Sequence, residues 1–151
     1  MKKIFTLLPL AALLLFTSLT NFTCSKTDAV VKSDKELATG HWNINRIQWK
    51  VFYNGIFTRD TILKQSPKPE NYVQFDANGA FKYQFNTSTP ETGTYAWTGT
   101  DLIQISTTHL NFTWKKLTLI SDGLFTLMRN TTSPVFPGAT IEEYHTLVKP
   151  K

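Results

Sequence analysis

The sequence predicts an all-β protein, an antiparallel up-and-down meander that closes into a barrel of about 8 to 9 strands. Three observations predict this class. Aromatic residues make up 13% of the 151 residues and threonine recurs throughout, a composition that favours strands. Short runs of alternating apolar and polar residues are separated by glycine-containing turns. The connections between these runs are too short for the crossover helices that parallel strands need.

The turns define the order of the strands. Asn54-Gly55 supplies the positive φ angles of a type I′ hairpin turn, and the segment from Asp76 to Gly79 has a similar role. After the second turn, Phe81, Tyr83 and Phe85 alternate with polar residues, which places three aromatic side chains on one face. The expected strands are residues 47–53, extended backwards through Trp42 and Ile44, and residues 56–63, 72–75, 80–85, 93–98, 102–106, 112–120, 124–129 and 141–148.

Two strands change their apolar phase partway. In the first strand the apolar positions pass from even to odd numbers across Asn45-Arg46, and a second change occurs across Lys115-Lys116, before Leu117 and Leu119. An extra residue in a strand, a β-bulge, reconciles such phases and adds twist. We therefore expect bulges at both places, in a sheet that curls into a barrel.

The N-terminus has the features of a signal segment. Lys2 and Lys3 precede an apolar run over residues 4–16, which is too short to span a bilayer comfortably and is typical of a signal peptide. Cys24 follows this run and is the only cysteine, so it forms no disulfide within the chain. The position of Cys24 resembles that in bacterial lipoprotein signals, although Asn21-Phe22-Thr23 departs from the usual Leu-x-small pattern. The resemblance implies lipidation at Cys24; the alternative is a secreted protein with an incidental cysteine.

The sequence accordingly divides into three parts: a lipoprotein-type signal peptide over residues 1–23, a lipid-anchored flexible stalk over 24–36, and a β-barrel domain over 37–151. The stalk is expected because residues 25–37 are mostly polar and lack a sustained period. Without Lys2 and Lys3, the mature chain has 14 basic and 11 acidic residues, and the basic ones are scattered. This distribution does not favour nucleic acid as a partner.

Three short motifs follow one another along the domain: Gly40-His41-Trp42, the segment from Phe75 to Gly79, and Gly93-Thr94-Tyr95. Together they resemble motifs of the lipocalin-like lipoproteins that are common in Bacteroidota. The segment Gly40-His41-Trp42 is similar to the Gly-x-Trp opening of the first lipocalin strand, the segment from Phe75 to Gly79 to an F-x-x-x-G motif, and Gly93-Thr94-Tyr95 to a G-T-Y/W motif. The match covers residues 37–149. In lipocalins this tryptophan packs across one barrel end under a basic residue from a late strand. The resemblance therefore implies barrel-end packing by Gly40, Trp42 and Arg129. The alternative is that Trp42 is an ordinary core residue and Arg129 a solvated strand end.

Groups for catalysis or metal binding do not converge in the sequence. The three histidines are on separate elements, and no cysteine or carboxylate completes a zinc-like spacing around them. Glu142 and Glu143 are adjacent, so on a strand they face opposite sides. Asp60-Thr61-Ile62 resembles the tripeptide at which Bacteroidota attach O-glycans, but it is too common to predict a modified site. We expect no enzymatic activity, no metal and no cofactor.

Two functions remain open on the sequence alone. The first is a cell-envelope lipoprotein, lipid-anchored to a bacterial membrane, most naturally the outer membrane, that binds a small apolar or amphipathic ligand inside its barrel. The second is a structural or accessory envelope lipoprotein with a side-chain-filled barrel that acts through protein contacts. Aromatic residues facing inward serve either function, and the candidates are Trp49, Phe75, Tyr83, Tyr95 and Trp97.

Overall fold

The computed structural model describes residues 32–65, 68–86, 89–120 and 123–151. These residues contain one short helix, α1, and nine strands, β1 to β9. The bounds are Asp34–Ala38 for α1, Gly40–Tyr53 for β1, Ile56–Gln65 for β2, Tyr72–Phe75 for β3, Ala80–Gln84 for β4, Glu91–Thr98 for β5, Leu102–Thr107 for β6, Asn111–Ile120 for β7, Leu124–Thr131 for β8 and Thr140–Val148 for β9.

Eight of the described strands form a closed antiparallel barrel. Each of β3 to β8 pairs with the next strand in the chain, and β1 closes the circle by pairing with both β3 and β9. The remaining strand, β2, extends outside this circle and pairs with β1. The all-β antiparallel barrel predicted from the sequence is therefore confirmed.

The extra strand arises because β1 is long and changes its partner on one edge. Residues 40–43 of β1 pair with β3, whereas residues 46–53 pair with β2 on the same edge. The change occurs at Asn45, where the register with β9 also shifts. The bulge expected at Asn45-Arg46 is thus confirmed. The simple meander holds only from β3 to β9, because the strand that follows β2 pairs with β1 instead of with β2.

Backbone conformation explains two of the glycines. Asn54 and Gly55 join β1 to β2 with φ angles of 49° and 77°, as the type I′ turn requires. Gly93 lies on β5 where the neighbouring strand approaches closely, and a Cβ atom there would lie 2.1 Å from the carbonyl oxygen of Ser106. A side chain at this position would therefore force β5 and β6 apart.

The second predicted bulge is displaced by one residue. The register between β7 and β8 shifts between Lys116 and Thr118, which places the bulge at Leu117. Leu117 is consequently exposed and Lys116 extends towards the interior, where it forms an ion pair with Asp34 and lies over the ring of Trp97. The prediction that Leu117 continues the inward apolar phase is therefore wrong.

The folded unit begins earlier than the predicted boundary at residue 37. The Ser33 side chain accepts a hydrogen bond from the backbone N–H of Glu36, and the Glu36 carboxylate accepts one from the Ser33 backbone. This reciprocal capping box initiates α1 and its pattern, Ser-x-x-Glu, is visible in the sequence. Residues 32–36, which we assigned to the stalk, thus belong to the compact unit that starts at Lys32.

Aromatic side chains fill the barrel at the end covered by α1, which we call the closed end. Its largest fully buried members contact one another through ring edges at centroid distances of 5.4 to 6.4 Å. They are Trp42, Phe75, Phe81, Phe125 and Trp114, and Trp114 extends this core towards the middle of the barrel, where it also contacts Phe112 and His145. The opposite end, where β6 joins β7 and β8 joins β9, has no helix among the described residues, and for that reason alone we call it the open end.

Candidate binding site in the barrel interior

Strand β9 carries two ionisable side chains into the barrel. Its buried and partly exposed residues alternate, so that Ile141, Glu143, His145 and Leu147 face inward. The apolar pair at the two ends of this row is ordinary core. Glu143 and His145, in the middle of the row, are not ordinary core residues. Charged groups are rarely buried without partners, so both side chains require partners inside the barrel.

Glu143 is the centre of a hydrogen-bonded cluster that joins three strands. Its Oε1 atom accepts a hydrogen bond from Nε of Arg129 on β8 at 2.7 Å and lies 2.7 Å from Nε2 of His145. Its Oε2 atom accepts a hydrogen bond from Nε1 of Trp49 on β1 at 2.8 Å. We call these four residues the Glu143 cluster. Three donors therefore surround one carboxylate, which satisfies the charge in the protein interior.

The electrostatics of the cluster favour an ionised carboxylate. Burial alone would raise the pKa of Glu143, but the hydrogen bond from His145 and the positive charges of His145 and Arg129 outweigh burial and hold this pKa at about 2. Burial also raises the pKa of the nearby Tyr83 hydroxyl, and the negative charge of Glu143 raises it further. At neutral pH the site therefore combines a carboxylate, a guanidinium and an un-ionised phenol.

Aromatic rings surround the cluster. The Arg129 guanidinium lies 4.2 Å from the centre of the Phe112 ring, a cation–π contact. The His145 ring lies 5.3 Å from the Trp114 ring and 6.3 Å from the Tyr83 ring. The polar groups are thus held in a mainly aromatic environment, which is the usual composition of a small-molecule site.

The Glu143 cluster lies towards the open end. The side chain of His145 is 1% exposed and that of Arg129 is 21% exposed, so exposure increases from His145 to Arg129. On one side the cluster is covered by a second small core, in which Trp49 packs against Phe136 of the segment that joins β8 to β9. Tyr83 and Phe112 are only partly buried. A molecule that entered from the open end would meet these two rings before His145.

The residues predicted for barrel-end packing separate in the structure. Trp42 is fully buried at the closed end, donates a hydrogen bond to the carbonyl oxygen of Ala38 at 2.7 Å, and follows Gly40 at the start of β1. The cation over its ring is Lys149, at 5.0 Å from the ring centre, and not Arg129 as the resemblance implied. Arg129 cannot serve this role because its guanidinium is held by Glu143 and Phe112.

The five predicted interior aromatics also divide between the two ends. Phe75 and Tyr95 are buried in the closed-end core, where Tyr95 donates a hydrogen bond to the carbonyl oxygen of Asp76. Trp97 is partly buried beside Lys116. Trp49 and Tyr83 lie at the Glu143 cluster. Cys24, the predicted lipidation site, lies outside the described residues.

Sequence reasoning missed the central residues of the site, Glu143 and His145. We considered Glu143 only as a partner for Glu142 and His145 only as one of three scattered histidines. The sequence did contain a signal for these two residues. Both have odd numbers, like Ile141 and Leu147 on the same strand, which are core residues. Alternation along the strand therefore places both side chains inside the barrel.

Family models, curated proteins and solved structures were compared with this chain, and none of them matches it. In the part of the chain that the structure describes, no helix is both long enough and apolar enough to cross a membrane. The same residues contain no group of three or more histidine, cysteine or acidic side chains arranged to hold a metal ion.

Proposed function

We propose that this protein is a non-enzymatic lipoprotein of the bacterial cell envelope, anchored to a membrane, most naturally the outer membrane, through Cys24, and that its lipocalin-like barrel binds a small amphipathic molecule at the open end. The lipoprotein part of the proposal rests on the apolar segment that precedes the lone cysteine. The lipocalin-like part rests on the three sequence motifs together with the closed eight-strand barrel.

The observation that carries the binding function is the buried Glu143 cluster. A buried ion pair contributes little to stability compared with apolar residues of the same volume, because both charges lose their hydration. A barrel that served only as a scaffold would be at least as stable with apolar side chains at Glu143, His145 and Arg129. Their presence beneath partly exposed aromatic rings instead suits the recognition of a polar group on an otherwise apolar molecule.

The packing of the barrel restricts where such a molecule fits. The aromatic core at the closed end is fully buried and its rings are in mutual contact. The partly buried rings of Tyr83 and Phe112 lie nearer the open end. The ligand therefore occupies the open half of the barrel, with its apolar part against these rings and its polar part towards the Glu143 cluster.

Fluorescence titration tests the proposal. The apolar fluorophore N-phenylnaphthylamine is added to the mature chain, beginning at residue 24 and carrying Cys24→Ser so that no attached lipid competes. We expect saturable enhancement of the probe, and weaker binding when Phe112→Ala removes one wall of the site. Thr94→Ala, on the outer face of β5, is the matched control. Absence of saturable binding, or equal effects of the two substitutions, would contradict the proposal.

A second function, an accessory protein that acts through protein contacts, is favoured by a different surface. The hairpin formed by β1 and β2 exposes apolar side chains, including Ile56 at 72% and Phe57 at 54% exposure. Photo-crosslinking in cells from position 57, with position 94 as the control, tests this alternative. The accessory function requires that position 57 forms a single discrete adduct and that position 94 forms none. The substitution Ile56→Ser should weaken the adduct from position 57.

A further inference from the structure

Two buried polar atoms, one in the Glu143 cluster and one beside it, make no hydrogen bond with any described residue. They are Nδ1 of His145 and Nε1 of Trp114. Both side chains are almost completely buried, and their ring centres lie 5.3 Å apart at an interplanar angle of 57°. Buried polar atoms in folded proteins are nearly always hydrogen-bonded, so this pair requires an explanation.

The roles of the two atoms follow from their surroundings. The Glu143 carboxylate is ionised and can only accept, so Nε2 of His145 carries a proton. Nδ1 of His145 then accepts a hydrogen bond when the ring is neutral and donates one when the ring is charged. The indole nitrogen of Trp114 can only donate. A single oxygen atom within hydrogen-bonding distance of both nitrogens, accepting from Trp114, would satisfy both.

A second unpartnered indole provides an internal comparison. Nε1 of Trp97 is also buried and makes no hydrogen bond with the described residues. Trp97 lies at the closed end, beside Lys116, whose ammonium group is paired with Asp34 of α1. Trp114 contacts the His145 ring, whereas Trp97 lies beside Lys116. The two indoles therefore share their chemistry but not their neighbours, which makes Trp97 a matched control.

We propose that Trp114 Nε1 and His145 Nδ1 together receive one oxygen atom of the ligand, from a hydroxyl or a carboxylate group. The inference rests on the proposed binding function and specifies the polar end of the ligand. The apolar body of the molecule then extends towards Tyr83 and Phe112, which contact Trp114 on the side of the open end. A hydroxyl oxygen accepts from Trp114 and donates to neutral His145, whereas a carboxylate oxygen accepts from both rings when His145 is charged.

Nuclear magnetic resonance of the indole N–H groups tests this contact directly. The mature chain with Cys24→Ser contains four tryptophans, each with one indole resonance after ¹⁵N labelling. Assignment by Trp114→Phe and Trp97→Phe identifies the two resonances of interest. The probes are 1-decanol and sodium decanoate, which share an apolar chain and distinguish the two sources of oxygen. We expect at least one of them to move the Trp114 resonance downfield, as a new hydrogen bond does, while the Trp97 resonance is unchanged.

Affinity measurements provide the second readout. Loss of one hydrogen bond to the ligand should weaken binding of the effective oxygen probe about tenfold in Trp114→Phe. The affinity of N-phenylnaphthylamine, which lacks oxygen, should fall less than that of the oxygen probe in this variant, because it loses only apolar contact. Trp97→Phe should change neither affinity. If Trp114→Phe does not fold, the Trp114 resonance is assigned through nuclear Overhauser effects to its own backbone in the unsubstituted protein, and the resonance shifts decide the question alone.

The outcomes separate this inference from the function on which it rests. If N-phenylnaphthylamine binds but neither oxygen probe moves the Trp114 resonance, the oxygen contact is overturned and the binding function stands. If Trp114→Phe weakens all probes equally, Trp114 contributes only apolar surface and the inference is again wrong. If no probe binds, the binding function itself fails and the inference fails with it.

Discussion

Replacing Glu143 by glutamine tests whether the Glu143 cluster is a charged assembly. The amide keeps the length and shape of the side chain but has no negative charge. Arg129 and His145 then lose the carboxylate from which each lies 2.7 Å away. Because the guanidinium remains partly buried without its counter-ion, we expect Glu143→Gln to lower the free energy of unfolding at neutral pH by about 3 to 5 kcal/mol.

The same substitution should change how stability depends on pH. The pKa of Glu143 is about 2 in the folded protein, compared with 4.5 in the absence of interactions. Because folding lowers this pKa, the ionised carboxylate stabilises the fold above pH 4.5, the pKa in the absence of interactions. The stabilisation is lost as the pH falls towards about 2, the pKa in the folded protein. At about 1.4 kcal/mol per tenfold change in proton affinity, the contribution is about 3 kcal/mol at neutral pH. About 2 kcal/mol of it is lost by about pH 3.

Urea unfolding followed by tryptophan fluorescence measures both effects, at neutral pH and at about pH 3. Glu142→Gln is the matched control, because Glu142 is the preceding residue on β9 and accepts a hydrogen bond from the hydroxyl of Tyr144 on the outer face. We expect the wild type and Glu142→Gln to lose similar stability on acidification, and Glu143→Gln to lose about 2 kcal/mol less. Equal losses in all three proteins would refute the reasoning.

Three further predictions concern the closed end, the first turn and the anchor. Trp42→Ala removes a fully buried side chain and should cost about 3 to 5 kcal/mol in urea unfolding; a loss near 1 kcal/mol would contradict its packing role. Gly55→Val should lower the free energy of unfolding by roughly 1 kcal/mol or more, because valine resists the positive φ angle at this position. A steric clash would not contribute, since a Cβ atom there meets no atom within 4 Å. An unchanged melting temperature would argue against this prediction. Radioactive fatty acid should label the wild type in cells but not Cys24→Ala, and a labelled variant would exclude Cys24 as the anchor.

The sequence predicted features of the fold that depend on local chemistry. The Asn54-Gly55 turn and the Asp76–Gly79 turn could be located because positive φ angles restrict the residues that fit. The bulge at Asn45 could be located because it reverses the apolar phase. The place where β1 changes its partner from β3 to β2 could not be predicted, because this choice is decided by contacts between residues that are distant in the chain.

The candidate site was predicted less well, for a physical reason. Aromatic residues such as Tyr83 and Trp49 are expected inside a barrel from hydrophobicity alone. Glu143 and His145 oppose that expectation, because burying them is favourable only after Arg129 and Trp49 provide partners from two other strands. Such compensation depends on the folded barrel and is not visible within one strand. For the same reason, Lys149 could not be distinguished from Arg129 as the cation over Trp42.

The closure of the barrel through β1 and β9 has a consequence for how the chain folds. Asn43 pairs with Val148 and Phe52 pairs with Thr140, so the first strand finds this partner only when nearly the whole chain is present. Contacts between residues so distant in sequence slow folding, because a long loop must be ordered before they form. If the chain is exported from its N-terminus as we propose, β1 crosses the membrane early and one of its edges stays unpaired until β9 arrives. During that interval the incomplete sheet has a free strand edge, on which another chain can pair.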